Sequence, residues 1–136
     1  MKKFKGSEQE LTVAELDTFQ QELEITLPQK YIEHILVVNG GKPLEDTFNG
    51  KRVHYFHSIK YGDYPLHEII EDIKDVLPDN LFPFAEDEGG NAFCISLSEE
   101  NNGEIYIWYH DMDDEDKVEF LADSFEDFMK GLTERE

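Results

Sequence analysis

The stretch Ala92-Phe93-Cys94-Ile95-Ser96-Leu97, then Ser98-Glu99-Glu100-Asn101-Asn102-Gly103, then Glu104-Ile105-Tyr106-Ile107-Trp108-Tyr109 decides the fold class. Two apolar runs rich in aromatic and β-branched residues flank a polar segment ending in Asn-Asn-Gly, where left-handed backbone costs little. That pattern predicts an antiparallel hairpin. Immediately upstream, Leu81-Phe82-Pro83-Phe84-Ala85 is a further strand-like run that enters the turn Glu86-Asp87-Glu88-Gly89-Gly90-Asn91. Downstream, an acidic loop from Asp111 to Asp116 precedes a short apolar piece, Val118 to Ala122.

Outside this centre the period changes to that of helices. Thr12-Val13-Ala14-Glu15 reads as a capping box with Leu11 and Leu16 as its hydrophobic staple, and Leu16, Phe19 and Leu23 continue the stripe. Leu27-Pro28 restarts a helix with proline at its first position. Tyr31, Ile32, Ile35 and Leu36 line it, and Asn39-Gly40-Gly41 stops it. Arg52 to Ile59 alternates and predicts one strand, with Val53, Tyr55, His57 and Ile59 on one face, and Asn49-Gly50 a hairpin turn before it. Tyr64-Pro65 opens a central helix lined by Leu66, Ile69, Ile70, Ile73 and Leu77 and ended by Pro78. Ser124 with Asp127 caps a last helix carrying Phe125, Phe128, Met129 and Leu132. The sum is an α+β domain over residues 1–136, a mostly antiparallel sheet packed with N-terminal, central and C-terminal helices. One shared core is expected from Leu16, Phe19, Leu23, Ile32, Ile35, Ile69, Ile73, Phe93, Ile95, Ile105, Ile107, Phe125 and Phe128.

Charge narrows the function. The chain has 12 basic and 32 acidic residues, a net of −20. Residues 1–68 hold 8 Lys/Arg and 11 Asp/Glu; residues 69–136 hold 4 and 21, so the excess lies in the second half. Phosphate backbones and anionic lipid headgroups are repelled, and neither nucleic acid nor membrane is an expected partner. Solubility needs only about 2–8 units on a small domain, so the surplus leaves room for a basic protein partner beside the plain solubility reading. The N-terminus has no apolar segment of signal-peptide type, and no run reaches the roughly 20 residues that span a bilayer. With Cys94 the single cysteine, a reducing cytoplasmic setting is expected.

Chemistry is hard to place. Asp111, Asp113 and Glu115 occupy positions 1, 3 and 5 of a calcium loop, but Asp116 stands where glycine is needed and Ala122 where glutamate is needed. His54 and His57, three apart in a strand, would point to opposite faces, and His34, His67 and His110 are isolated. There is no nucleophile elbow or phosphate loop, so neither an enzyme nor a cofactor or metal is expected.

Three segments in order carry a resemblance. Leu27-Pro28 with Tyr31 and Asn39-Gly40-Gly41 form the first. Phe82-Pro83-Phe84-Ala85 through Asp87, Gly90 and Asn91 form the second. Ile105 to Trp108, His110-Asp111 and Leu121-Ala122-Asp123-Ser124-Phe125-Glu126-Asp127-Phe128 form the third. Over about residues 10–132 the chain resembles the SUKH superfamily, the Smi/Knr-type domain. The resemblance implies an α+β fold and, for most bacterial members, an immunity protein that binds and silences a toxin, often a nuclease. Fungal relatives are adaptor-like regulators of cell-wall synthesis, which makes a non-enzymatic regulatory adaptor binding a host protein the alternative reading. Neither branch supplies catalytic residues to carry over.

The expected binding surface comprises Glu86, Asp87 and Glu88 with Asp111, Asp113, Asp114, Glu115 and Asp116, and Tyr61 and Tyr64 as a second locus. The two acidic clusters each follow a predicted strand, and they merge only if those strands share a direction. A nucleic-acid mimic is a third reading, which would need carboxylates in regular rows. Oligomeric state is not legible.

Overall fold

The computed structural model describes residues 2–112 and 117–134. In chain order it has β1 (Phe4–Lys5), α1 (Val13–Leu23), α2 (Gln29–Val37), β2 (Lys42–Pro43), β3 (Thr47–Phe48), β4 (Lys51–Arg52), β5 (Tyr55–Phe56) and α3 (Leu66–Ile73). There follow β6 (Leu81–Glu86), β7 (Ala92–Ser96), β8 (Ile105–Trp108), β9 (Val118–Ala122) and α4 (Phe125–Lys130). The main sheet is antiparallel in the order β5-β6-β7-β8-β9. Small ribbons β1-β2 and β3-β4 flank it. This is an α+β fold with helices at both ends and the centre of the chain.

Local chemistry sets the helix limits. At α1 the Glu15 amide donates to Thr12 Oγ1 at 3.1 Å and the Thr12 amide to Glu15 Oε1 at 2.9 Å, while Leu11 and Leu16 are buried as the staple. Pro28 sits one residue earlier than expected, as an extended N-cap rather than the first helical residue, and Pro65 opens the central helix as an N-cap of the same kind. Their carbonyls still accept the first amides, from Tyr31 and Ile32 and from Glu68 and Ile69. Asn39 does more than end α2. Its buried side chain donates to the carbonyls of Gln9 (2.9 Å) and Ile59 (3.0 Å) and accepts from the Ile59 amide (2.8 Å). Gly40, at φ +75°, lies so close to Ser58 that a Cβ would sit 2.9 Å from its amide nitrogen.

Two expectations need correction. Residues 52–59 are not one strand. Val53 bonds back to Asp46, completing the β3-β4 ribbon whose turn, Asn49-Gly50, has φ of 47° and 81°. The chain then changes partner: the amides of His54 and His57 bond to Glu86 and Phe84 of β6, and Phe56 exchanges bonds with Gly41. Covered on both sides, Phe56 and His57 are both buried despite their alternate positions. The central helix also stops at Ile73, and Leu77 is reached by a turn whose amide bonds back to the Ile73 carbonyl.

The core is divided by the sheet. On one face Leu16, Phe19, Tyr31, Ile35, Phe82, Phe84, Phe93, Ile95, Ile105, Ile107, Phe125 and Phe128 pack together, with Leu23 and Ile32 partly buried against them. Ile73 is not among them. It joins Leu77 and Leu81 on the opposite face, against Ala92, Cys94 and Trp108. Strand β7 is therefore buried along its whole length on both sides, which is why it reads as a continuous apolar run.

Candidate protein-binding surface

Strands β6 and β8 are each antiparallel to β7 and so run in the same direction. Glu86 pairs with Ala92 and Ala92 with Trp108, which places the ends of β6 and β8 side by side. The loops that follow them leave the sheet from one end. His110 joins them: its Nε2 lies 2.8 Å from the Gly89 carbonyl oxygen, and its amide donates to Asn91 Oδ1 at 3.2 Å. A carbonyl can only accept, so this Nε2 carries the proton.

The carboxylates at this end have different jobs. Asp87 builds its own loop, accepting from the amides of Gly89 (2.9 Å) and Asn91 (2.8 Å) and from Asn91 Nδ2 (2.9 Å). Glu86 is half-buried, with Oε1 3.9 Å from His57 Nε2, and it is the cross-strand neighbour of Tyr55. Burial, then this carboxylate, pushes the Tyr55 phenol up. Glu88 is exposed, and Arg52 Nη1 donates to it at 2.8 Å. Asp111 is exposed. Asp113, Asp114, Glu115 and Asp116 lie outside the described residues.

The two tyrosines separate. Tyr61 turns to α1, where its hydroxyl and Lys60 Nζ both bond Glu15, and Lys60 first and Tyr61 second hold that carboxyl down to about 2. Tyr64 is 46% exposed and donates to Asp72; that bond, with burial and nearby carboxylates including Glu86, pushes its phenol up to about 12. Tyr64 thus borders the Glu86 end, and Tyr61 does not. His54 and His57 line one cleft with Tyr55 and Tyr64, contrary to the opposite faces expected of a strand, because β5 is only two residues long. Among the described residues, no group of three or more His, Cys, Asp or Glu is disposed to hold a metal. Cys94 is buried, and burial raises its thiol. No helix among the described residues is long and apolar enough to cross a membrane.

Two surface features emerge only with the fold. The solvent face of α3 and the turn after it carry exposed Glu68, Glu71, Asp72 and Asp75. The short apolar piece 118–122 is an edge strand whose Val118 and Phe120 are 37% and 49% exposed. Its apolar–acidic–apolar alternation, Val118-Glu119-Phe120, was the available signal.

The fold is that of a small α+β domain of the SUKH type. The chain belongs to the SMI1 / KNR4 family (SUKH-1), which it matches over residues 10–131. It is also 34% identical over 100 residues to the SPbeta prophage-derived uncharacterized protein YokK of Bacillus subtilis (strain 168). That likeness covers 68% of this chain and 50% of the relative, so the chain spans about half the length of the curated relative it matches.

Proposed function

We propose that this protein is an immunity protein, a non-enzymatic cytoplasmic binder that neutralises a cognate basic toxin through its acidic sheet end. The observation that carries the reading is the convergence of the loops after β6 and β8, tied by His110 to Gly89 and Asn91. Like charges gathered at one end of a sheet cost stability through self-repulsion, and a basic partner offsets that cost. A charged surface of this kind raises the encounter rate with an oppositely charged protein, which is what an inhibitor of a lethal activity needs. A nuclease toxin, whose surface must attract phosphate, has the matching sign.

The test is co-expression with the product of the neighbouring gene, followed by pull-down of the purified pair. Growth restored by this chain, together with a stable complex, is the expected outcome. A complex without any protection would instead favour the regulatory-adaptor reading, and the absence of both would end the proposal.

A further inference from the structure

Strand β9 stands at one edge of the sheet. Among the described residues it pairs only with β8, whereas β5, at the other end of the sheet, is covered by Gly41. The Tyr109 amide donates to the Lys117 carbonyl at 2.7 Å, so the alternation of an antiparallel ladder makes Trp108–Val118 and Tyr106–Phe120 non-hydrogen-bonded pairs. The amides and carbonyls of Val118 and Phe120 therefore point outward from the sheet.

Their side chains share the face of Trp108 and Tyr106, and the Tyr106 and Phe120 rings meet edge to face at 5.7 Å. On that face Ile73 and Leu77 of the α3 region cover Ala92, Cys94 and Trp108, while Val118 and Phe120 stay 37% and 49% exposed. Edge strands are commonly guarded by charge, yet Glu119 points to the opposite face, held by Lys51 (3.3 Å) and the Tyr109 hydroxyl (2.7 Å).

We propose that β9 is extended by one strand of the partner, an alternating cationic and apolar segment. Its backbone would pair with Val118 and Phe120, and its apolar side chains would lie over Phe120. This deepens the immunity reading and rests on it for the partner's identity. Charge chooses the occupant. A second copy would bring another chain of −20 against the same edge, next to exposed Asp111, whereas a lysine- or arginine-bearing strand gains from that neighbourhood. Main-chain bonds would supply affinity and the alternate side chains specificity.

The test uses the full chain and a synthetic ten-residue peptide alternating lysine with valine, beside the same peptide N-methylated at alternate residues. The plain peptide should slow amide exchange at Val118 and Phe120 and shift the emission of Trp108. N-methylation and the variant Phe120→Ser should each weaken binding about tenfold or more. Equal binding of the N-methylated peptide would mean attraction by charge alone and would overturn the proposal. So would protection confined to other strands, or protection of these two amides by raised protein concentration without peptide, which would identify a second copy as the occupant. Because no toxin is present, failure here leaves the immunity reading standing, and failure of the toxin pull-down leaves this result intact.

Discussion

His110 Nε2 donates to the carbonyl oxygen of Gly89 at 2.8 Å, joining the loop after β8 to the loop after β6. With the bond from the His110 amide to Asn91, this contact holds the start of the loop after β8 against the turn after β6. Asp87 supports it from within, spending its lone pairs on Gly89 and Asn91.

Asp87 is therefore expected to act through structure and Glu88 through charge. Asp87→Ala should cost about 1–3 kcal/mol, as it strands loop donors, and should speed amide exchange at Gly89 and Asn91. Glu88→Gln should stay within about 0.5 kcal/mol of the parent, since its pair with Arg52 is exposed. Urea unfolding with exchange measured on both variants checks this, and equal stabilities would remove the distinction.

Phe128 anchors α4. It is fully buried, stacked on Phe48 at 4.9 Å and edge-on to Phe84 at 5.5 Å. Phe128→Ala should lower unfolding free energy by about 3–5 kcal/mol. A loss under about 1 kcal/mol in denaturant melts would mean that α4 does not hold the core closed.

Two histidines set an acid limit. Burial lowers His34 and His57 to about 4. His34 sits among the rings of Phe4, Phe56 and Phe125, and His57 lies beside Tyr55 with Glu86 at 3.9 Å. Their unfolded value is about 6.5, so between those limits the unfolded chain binds more protons. Stability is complete above the unfolded value and is lost as pH falls towards the folded one, by about 2 kcal/mol per histidine from pH 7 to 5. His34→Phe should remove about half of that slope in urea unfolding at the two pH values. An unchanged slope would place the titration elsewhere.

What was legible in the sequence was local and periodic. The capping box at Thr12, the Asn49-Gly50 turn and the β7-β8 hairpin all form as read, because each is decided by neighbours within a few residues. Residues 52–59 alternate as one strand would, but their partners change at Val53, from Asp46 to β6 and Gly41. Ile73 lies in the other half of the core from the one expected, since helical periodicity names a buried face without saying which side of a sheet it meets. The acidic site was half legible. Composition located the carboxylates, whereas the shared direction of β6 and β8, and the bond from His110 to Gly89, depend on strand order. The exposure of Phe120 was hidden for the same reason, as edge position is a property of the whole sheet.

The central claim is that this acidic sheet end steers a basic partner, and stopped-flow association with the cognate toxin at two ionic strengths tests it most directly. The variant Asp113→Lys with Asp114→Lys should associate about tenfold more slowly at low salt and with a flatter salt dependence. Dissociation should change less, because exposed charges act chiefly on encounter. Association at the parent rate with the parent salt slope would contradict the account and leave the acidic loops as solvated surface.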